Sequence, residues 1–277
     1  MTAAQATRLK VVGNISRDHT CYPDGRRLES LGGATLHTAL AAASAGAHTQ
    51  PVSVVGSDLS ALPERLPIPR VDWTGLSIRD GRSATFTLTY NPDDTLASSQ
   101  ADYAASQHLT DHALAHIQTG GGDFFHISLR RPLLPEAVLA ALTDQRLGFS
   151  LDFFLPSAPA MIEAATPWLH RAAVIFTNAA EYRLLTEAVE PGTLPLVAVT
   201  DGPRLAQLYA RGRPLAQARP VRSVPADVTG AGDTFAGTFL AHWLQGHPTH
   251  QALARAVHAA TRHTTAPPIP IPAPRTP

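Results

Sequence analysis

The second half of the chain alternates short apolar runs with amphipathic segments. The apolar runs lie at 124–127, 149–154, 173–176 and 196–199, and helical patterns lie at 108–118, 135–144, 158–166 and 179–188. Strands that alternate with helices indicate a parallel sheet that is covered by helices on both faces. The pattern therefore predicts an α/β fold with a mostly parallel central sheet.

The first half contains similar elements together with shorter extended pieces. An apolar run at 9–16 predicts a buried strand that ends near Asp18, and a helix and a strand are predicted at 34–45 and 51–56. Alternating polarity on both sides of Asp80-Gly81, within residues 71–90, predicts a β-hairpin. Shorter extended pieces around a turn lie within residues 21–31.

An extended segment breaks at two glycines and continues as an amphipathic helix near residue 231. Gly230 and Gly232 allow the backbone to approach a ligand closely, and the first amides of a helix have no intrahelical partner. Because those amides carry the positive end of the helix dipole, the segment predicts an anion site with the carboxylate of Asp233 beside it. An anion site beside a base suits phosphoryl transfer. The alternative is an Asp that only caps the helix.

Composition excludes several classes of function. The chain has 22 Lys and Arg residues against 22 Asp and Glu residues, so neither a nucleic-acid surface nor a basic membrane face is indicated. The single cysteine, Cys21, cannot form an internal disulfide, and no apolar run is long enough to span a membrane. We therefore expect a cytoplasmic protein without nucleic-acid or membrane partners.

Two common nucleotide-binding motifs are absent from the sequence. The only lysine is Lys10 and no G-x-x-x-x-G-K segment occurs, which excludes a lysine-clamped P-loop. No G-x-G-x-x-G segment occurs at the glycine pair, since Phe235 takes the place of the third glycine, so a nicotinamide-dependent dehydrogenase is disfavoured. Negative charge must then be met by backbone amides, arginine or a metal ion.

The segment Asp227-Val228-Thr229-Gly230-Ala231-Gly232-Asp233 carries a family resemblance. It resembles the C-terminal signature D-T-x-G-A-G-D of the ribokinase (PfkB-type) carbohydrate and nucleoside kinases. The resemblance implies that Asp233 is the catalytic base and that the amides of Gly230, Ala231 and Gly232 form the anion hole. It also implies that Thr229 lies at the nucleotide and Asp227 at a metal ion.

Two N-terminal motifs are weak alone and are strengthened by the resemblance. Asp18 lies near the end of the first predicted strand, where α/β folds bind ligands, and a carboxylate can accept hydrogen bonds from two neighbouring hydroxyls. Alone, it reads as an Asp that caps a turn. The resemblance implies that Asp18, Gly32 and Gly33 bind the acceptor. His37 stands where the family usually has Asn, and this departure bears on substrate identity.

Three further segments resemble the nucleotide side of the family. Asn178 and Glu181 match an N-x-x-E motif that bears on magnesium and phosphate, although an Asn with Glu three residues later is also a helix capping box. Thr200 and Gly202 match a T-x-G motif near the nucleotide phosphates, without the second glycine that often follows. His258 stands where the family tends to place Asn near the adenine.

Arg130-Arg131 and Asp152 follow predicted strands and stay open. Arginine forks match phosphate geometry, so the two arginines could meet a phosphate already present on the substrate. The favoured alternative is that they are solvated loop charges. Asp152 is similarly ambiguous.

The resemblance also sets the expected organisation of the chain. We expect one ribokinase-like kinase domain over residues 1–265, with a small β lid contributed by 19–31 and 71–90, and a proline-rich, weakly ordered tail over 266–277. Such a lid closes over substrate and excludes water. Its open face could pair with a second copy, which predicts a homodimer through the lid.

The expected activity is transfer of the γ-phosphoryl of ATP to a hydroxyl of a small sugar, polyol or nucleoside. ATP and Mg²⁺ are the expected cofactors, and a monovalent cation such as K⁺ is a further candidate. The alternative is a non-catalytic sugar- or nucleotide-binding protein on the same fold, which the departures at His37 and His258 would suit.

Overall fold

The computed structural model describes residues 7–272 of the 277-residue chain. The strands are β1 (Leu9–Val12), β2 (Ser16–Cys21), β3 (Arg27–Gly32), β4 (Thr49–Gly56), β5 (Leu76–Arg79), β6 (Ala84–Tyr90), β7 (Leu96–Asp102), β8 (Phe124–Leu129), β9 (Gly148–Phe153), β10 (Val174–Asn178), β11 (Leu196–Thr200), β12 (Ala206–Ala210) and β13 (Arg213–Ala218). The α-helices are α1 (Ala34–Ser44), α2 (Leu62–Arg65), α3 (Leu109–Gln118), α4 (Pro135–Asp144), α5 (Ala158–Ala165), α6 (Ala179–Ala188), α7 (Ala231–Leu244) and α8 (Thr249–Thr265).

A nine-stranded sheet forms the centre, in the order β13-β12-β11-β10-β9-β8-β1-β4-β5. Every pairing from β5 to β11 is parallel, and only β12 and β13 are antiparallel. Helices α3 to α6 cover one face, and α1, α7 and α8 cover the other. Because both faces are covered, strands such as β8 are buried at every position and read as unbroken apolar runs. The predicted α/β architecture is confirmed.

The order of the strands fixes where a ligand can bind. The chain runs from β1 to β4 on one side of β1, and β8 then pairs with β1 on its other side. This reversal opens a crevice beyond the carboxyl ends of the parallel strands, which is the usual ligand site of open α/β sheets. Arg130, Asp152, Asn178 and Thr200 all lie at those carboxyl ends.

A separate four-stranded sheet, in the order β3-β2-β6-β7, forms the lid. Two of the lid boundaries expected from sequence are wrong. The segment 76–79 pairs in parallel with β4 in the main sheet, so no hairpin forms around Asp80-Gly81. The fourth lid strand, β7, was missed because it is an edge strand with mostly exposed residues and lacks an apolar face. The small separate sheet itself is confirmed.

The beginning and the end of the chain also differ from expectation. The first strand stops at Val12, and Asp18 belongs to the lid strand β2. The tail is docked: the Leu31 amide donates to the Ile269 carbonyl over 2.8 Å, and Ile269 and Ile271 pack against the core beneath the lid. The expectation of a loosely held tail therefore fails up to residue 272. Residues 273–277 lie outside the described part of the chain.

Candidate active site

The N-terminus of α7 carries the glycine-rich turn and Asp233. Gly230 caps the helix in the left-handed conformation, with φ of 79°. A Cβ at Gly230 would lie 2.6 Å from the ring of His37, so both the backbone conformation and the packing require glycine. The first amides of a helix suit an anion, and of the three assigned to the anion hole the Ala231 amide donates to the Val228 carbonyl over 3.2 Å.

Helices α1 and α7 pack too closely for any side chain at one point. A Cβ at Gly237 would collide with the carbonyl of Thr38. Beside this contact, the Thr38 hydroxyl donates to the Asp233 carbonyl oxygen over 3.2 Å. The N-terminus of α1, which starts after Gly33, is therefore held firmly against the first turn of α7.

Asp233 lies against a buried guanidinium. Arg130 Nη2 is 3.5 Å from Asp233 Oδ1 and 3.2 Å from Asp152 Oδ1. Burial raises the pKa of Asp233, and Arg130 opposes that rise. The sequence favoured a solvated loop charge at Arg130, and this prediction is wrong. Only 14% of the Arg130 side chain is exposed, and it pairs with two carboxylates.

Asp18 and the two glycines form a compact unit across the crevice. The Ser16 hydroxyl donates to Asp18 Oδ1 over 2.6 Å, and burial raises the pKa of Asp18 to about 7. A Cβ at Gly32 would overlap the Asp18 carboxylate. Gly33 has φ of 96°, and a Cβ there would overlap the carbonyl of Asn14. The close approach therefore explains both glycines.

Two histidines support the glycine turn from behind. His263 Nε2 lies 2.7 Å from the Thr229 carbonyl oxygen, which can only accept, so His263 donates. The rings of His37 and His263 meet edge to face at 5.1 Å. Burial lowers the pKa of His37 to about 3, so this ring is neutral at physiological pH. His37 therefore shapes the turn rather than supplying charge.

Lid residues contact the same turn. The Tyr22 hydroxyl donates to Asp227 Oδ1 over 2.8 Å, and the Tyr90 and Thr229 hydroxyls are 3.3 Å apart. The rings of Tyr22 and Tyr90 stack at 5.4 Å. Asp227 Oδ1 also accepts the Thr229 amide at 2.8 Å. Asp227 thus joins the lid to the glycine turn, and its role at a metal ion stays a prediction.

The nucleotide-side motif at α6 forms the expected capping box. Asn178 Oδ1 accepts the Glu181 amide at 2.9 Å, and Glu181 Oε2 accepts the Asn178 amide at 2.9 Å. Burial raises the pKa of Glu181 to about 7, with further contributions from Asp152 and Asp233. Burial and the two neighbouring carboxylates disfavour the ionised form of Glu181, and a bound cation would favour it. The magnesium role of Glu181 therefore stays compatible with the cap.

Thr200 and Gly202 lie beside this motif. Thr200 stands in register with Asn178 on the neighbouring strand. Gly202 has φ of 51° in the turn that follows. His258 lies elsewhere, on the side of α8 that lines a groove of about 740 Å³ together with His37, Asp227 and Thr229. Thr200 and Gly202 do not line that groove, so the structure does not group His258 with them.

Sequence reasoning missed a pocket with aromatic walls and a buried histidine. The pocket, of about 340 Å³, lies between the lid and the loop after β9 and is lined by Phe86, Tyr103, Phe154 and Arg131, among others. Phe86 stands in register with Asp18 on the adjacent lid strand. His126, in the middle of β8, is fully buried and faces Asp152 at 3.5 Å. Its position inside a strand of apolar residues was the one available signal.

Within residues 7–272, no group of three or more His, Cys, Asp or Glu side chains is arranged to hold a metal ion. Magnesium in kinases is usually bound by one or two carboxylates together with substrate phosphates, so this finding does not oppose it. No helix in the same range is long and apolar enough to cross a membrane.

A lidded α/β sheet with a carboxylate at the glycine-rich N-terminus of one helix suits a phosphotransferase. The family model described as pfkB family carbohydrate kinase matches residues 6–267, and the chain therefore belongs to the pfkB family. The resemblance to ribokinases is confirmed, and the protein is an ATP-dependent phosphotransferase of the carbohydrate and nucleoside kinase type. This sets aside the alternative of a binding protein without turnover.

Similar proteins include kinases of nucleosides and of ribose. The chain is 27% identical over 267 residues to a cytidine kinase of Thermococcus kodakarensis, covering 88% of this chain and 91% of that protein. The structure of a Burkholderia thailandensis nucleoside kinase in complex with inosine superposes with a TM-score of 0.79 at 16% identity, covering 94% and 92% of the two chains. A Cryptococcus neoformans ribokinase in complex with ADP gives a TM-score of 0.74 at 17% identity, covering 95% of each chain. The two structural matches show the shared fold.

Proposed function

We propose that this protein transfers the γ-phosphoryl of ATP to a hydroxyl of a nucleoside. The observation that carries the transfer is Asp233, which stands in the first turn after Gly230, Ala231 and Gly232 and faces the crevice that Asp18 closes on the lid side. Sugars and polyols are the other acceptors that the family allows. A nucleoside fits the acceptor side best.

The acceptor side combines a carboxylate for hydroxyls with an aromatic pocket. Asp18 can accept hydrogen bonds from two neighbouring hydroxyls, and these bonds favour its ionised form. Phe86 stands opposite Asp18 on the adjacent lid strand and lines the aromatic pocket. Its ring meets Tyr103 edge to face at 6.0 Å and Phe154 at 6.4 Å. Such a pocket suits a planar base. The likeness to a cytidine kinase supports the same choice.

An uncharged acceptor also agrees with the charges at the site. Asp18 would repel an anionic acceptor placed against it. Arg130 is already paired with Asp152 and Asp233, so it is not free to receive a phosphate on the acceptor. This supports an acceptor that carries hydroxyls and no phosphate.

Asp233 acts as the proton acceptor in this proposal. A carboxylate is too weak a base to deprotonate an alcohol beforehand, so it takes the proton late, as charge moves in a loose transition state. In this proposal the amides of Gly230, Ala231 and Gly232 stabilise the charge on the transferred group, and the Ala231 amide exchanges its Val228 carbonyl partner for it. The lid keeps water away from the crevice.

The charges around Glu181 fit a magnesium ion. Glu181, Asp152 and Asp233 influence one another, and Arg130 is the guanidinium that faces them. Three carboxylates beside one guanidinium leave an excess of negative charge that a divalent cation can neutralise. We propose that Glu181 holds hydrated Mg²⁺, which neutralises phosphate charge when bound, and that Asn178, whose Oδ1 accepts the Ala180 and Glu181 amides, fixes the start of the helix that carries it. Dependence on K⁺ is a separate prediction.

The test is ADP formation from Mg-ATP with a panel of acceptors, with and without K⁺. The panel contains cytidine, inosine, ribose and ribose 5-phosphate. We expect kcat/KM for at least one nucleoside to exceed that for ribose by about tenfold or more, since the base adds buried apolar contact. A preference for ribose 5-phosphate would overturn the uncharged acceptor and turn attention to Arg130 and Arg131.

The same assay on Asp233→Asn tests the base. Asn is nearly isosteric and can still cap the helix, so Tm should change little. Because Asn cannot take the proton, turnover should fall about a hundred- to ten-thousand-fold. Turnover within a few-fold of wild type, together with a lower Tm, would show that Asp233 is only a cap.

A further inference from the structure

A chain of buried polar groups runs from the middle of the sheet to Asp233. His126 Nδ1 lies 2.9 Å from the Ser150 hydroxyl, and His126 Nε2 lies 3.5 Å from Asp152 Oδ2. Asp152 Oδ1 accepts from Arg130 Nη2 at 3.2 Å, and the same nitrogen lies 3.5 Å from Asp233 Oδ1. His126 is fully buried, and Asp152 and Arg130 are nearly so. We call the buried residues His126, Asp152 and Arg130, which lead to Asp233, the relay.

The direction of the hydrogen bonds in the relay follows from chemistry. An unprotonated Nε2 on His126 would face the lone pairs of the Asp152 carboxylate, which is unfavourable. The Ser150 hydroxyl can donate to Nδ1, which leaves the ring proton on Nε2, toward Asp152. The Nε2 proton of His126 thus faces one Asp152 oxygen at 3.5 Å without closing a hydrogen bond, and Arg130 donates to the other oxygen.

Arg130 lies between two carboxylates and contacts Asp152 more closely than Asp233. A buried guanidinium is retained only where it is paired, and an unpaired one is strongly destabilising. The contact with Asp152 is a hydrogen bond, whereas the contact with Asp233 is longer. Arg130 Nε is buried without a hydrogen-bond partner among the described residues, and the guanidinium also lies over the Phe154 ring, 5.4 Å from its centre. Asp152 thus decides how closely Arg130 can approach Asp233.

We propose that Asp152 and His126 are positioning residues that hold Arg130 at a set distance from Asp233, so that the carboxylate stays oriented yet keeps enough proton affinity to act as the base. The proposal rests on the proposed function, in which Asp233 accepts the proton. It gives a role to three residues that the family signature does not include.

Other groups face Asp233 from the surrounding elements. They are Asp18 and Tyr90 on the lid, Glu181 on α6 and His263 on α8. Burial and Asp152 raise the pKa of Asp233, and Arg130, His126 and His263 oppose that rise. Asp233 in turn raises the pKa of Asp18 and of Glu181. Among these groups and the relay, Arg130 is the strongest opposing charge. Variants of Arg130 and Asp152 should therefore shift the titration of Asp233 in opposite directions.

The signs are set by the charge removed. Arg130→Met removes a positive charge beside Asp233, so its pKa rises and the acidic limb of kcat/KM moves to higher pH. Asp152→Asn removes a negative charge and leaves Arg130 free to pair with Asp233, so the limb moves to lower pH. Each shift should be on the order of one pH unit, since a charge within about 4 to 6 Å shifts a pKa by roughly that much.

The experiment is the pH profile of kcat/KM for the preferred nucleoside, measured for wild type and the relay variants. Arg130→Lys should return the acidic limb toward the wild-type position, because it restores the charge. Asp123→Asn is the matched control: it removes the same charge from an ion pair with Lys10 at the opposite end of β8, and the limb should not move. Arg130→Gln replaces Arg130→Met if the latter does not fold.

The relay itself is tested by a double-mutant cycle. His126→Phe should lower kcat, and it should cause little further loss in the Asp152→Asn background, because His126 acts through Asp152. Full additivity of the two losses would remove His126 from the relay. The positioning role would be overturned if the acidic limb of kcat/KM stayed at the wild-type pH in all Arg130 and Asp152 variants while turnover fell at every pH.

These outcomes differ from a failure of the proposed function. If wild type phosphorylates none of the acceptors, or if Asp233→Asn retains turnover, the base assignment fails and the relay has nothing to position. If wild type is active and Asp233→Asn is not, fixed limbs refute the relay alone.

Discussion

Asp18 has its carboxylate in surroundings that oppose ionisation. Its pKa is raised to about 7, first by burial and also by Asp233 and Asp227, while the Ser16 hydroxyl opposes the rise. The folded state therefore holds this proton more tightly than the unfolded state does. As pH rises from about 4 to about 7, ionising Asp18 removes stability, and the loss is complete above the folded pKa. The site keeps a residue that is unfavourable for folding without substrate.

Asp18→Asn should therefore stabilise the fold more at pH 8 than at pH 5. Asn can still accept from Ser16, and it carries no charge to bury. The gain in unfolding free energy should be larger at pH 8 by about 2 kcal/mol, as expected for a pKa shift of this size. Thermal melts at the two pH values measure it. Asp24→Asn, an exposed lid carboxylate whose pKa is lowered by Arg26, is the control and should show no such gain. An equal gain at both pH values would contradict the assignment.

The lid sheet reaches the glycine turn through tyrosines. Tyr22 on the β2–β3 turn and Tyr90 at the end of β6 stack on each other and contact Asp227 and Thr229. The Tyr22 hydroxyl also accepts the Val228 amide at 3.1 Å. Because these contacts join the lid to the segment before the anion site, they tie lid position to the geometry of that segment.

Tyr22→Phe should weaken lid closure. The variant leaves the Val228 amide without its Tyr22 partner and leaves Asp227 Oδ1 with the Thr229 amide alone, and one buried hydrogen bond contributes about 1 kcal/mol. We expect KM for the acceptor to rise about fivefold with a smaller change in kcat, measured by steady-state kinetics. Tyr182→Phe on α6, whose ring stacks on Tyr209, is the control. A normal KM in Tyr22→Phe would show that this contact does not assist binding.

The helices other than α2 and α8 and the parallel strands other than β5 were predicted from the sequence, and the lid only in part. Buried parallel strands and the helices α3 to α6 have strong periodicity, and their bounds were close. The strands β7, β12 and β13 have exposed or mixed faces and gave no usable pattern. The segment 76–79 joined the main sheet because its partner is β4, and pairing between distant segments is not visible in local polarity.

The site shows the same division. Residues of the glycine turn could be placed because a helix N-terminus is recognisable locally. Arg130 looked like a solvated loop residue, since its partners Asp152 and Asp233 are 22 and 103 residues away in sequence. His258 was assigned by its place in the family pattern, which does not state which side of α8 it occupies.

At the scale of the whole molecule, the tail closes one edge of the lid. The Leu31 amide on β3 donates to the Ile269 carbonyl, and Ile269 and Ile271 cover apolar residues beneath it. The opposite edge of the lid is β7, which is mostly exposed. A homodimer through the lid stays a prediction, and β7 is the edge that the tail leaves open to it.

Ile269→Ser combined with Ile271→Ser should lower Tm by several degrees. Both side chains are partly buried, and each loss of apolar contact costs about 1 kcal/mol. Val221→Ser with Val224→Ser is the matched control, since those side chains are 73% and 89% exposed. Thermal melts give the comparison. Equal Tm for the two double variants would mean that the tail adds no stability.

The close packing of α1 on α7 makes the reaction geometry independent of the side chains that select the acceptor. At Gly237 and Thr38 the backbones touch, so the span from Gly33 to Asp233 is set by main-chain contact and is insensitive to most surface changes. In the proposed function, acceptor selectivity depends instead on side chains of the lid and of the loop after β9, which line the aromatic pocket. New acceptors can therefore be explored through those side chains while the reaction geometry is inherited unchanged.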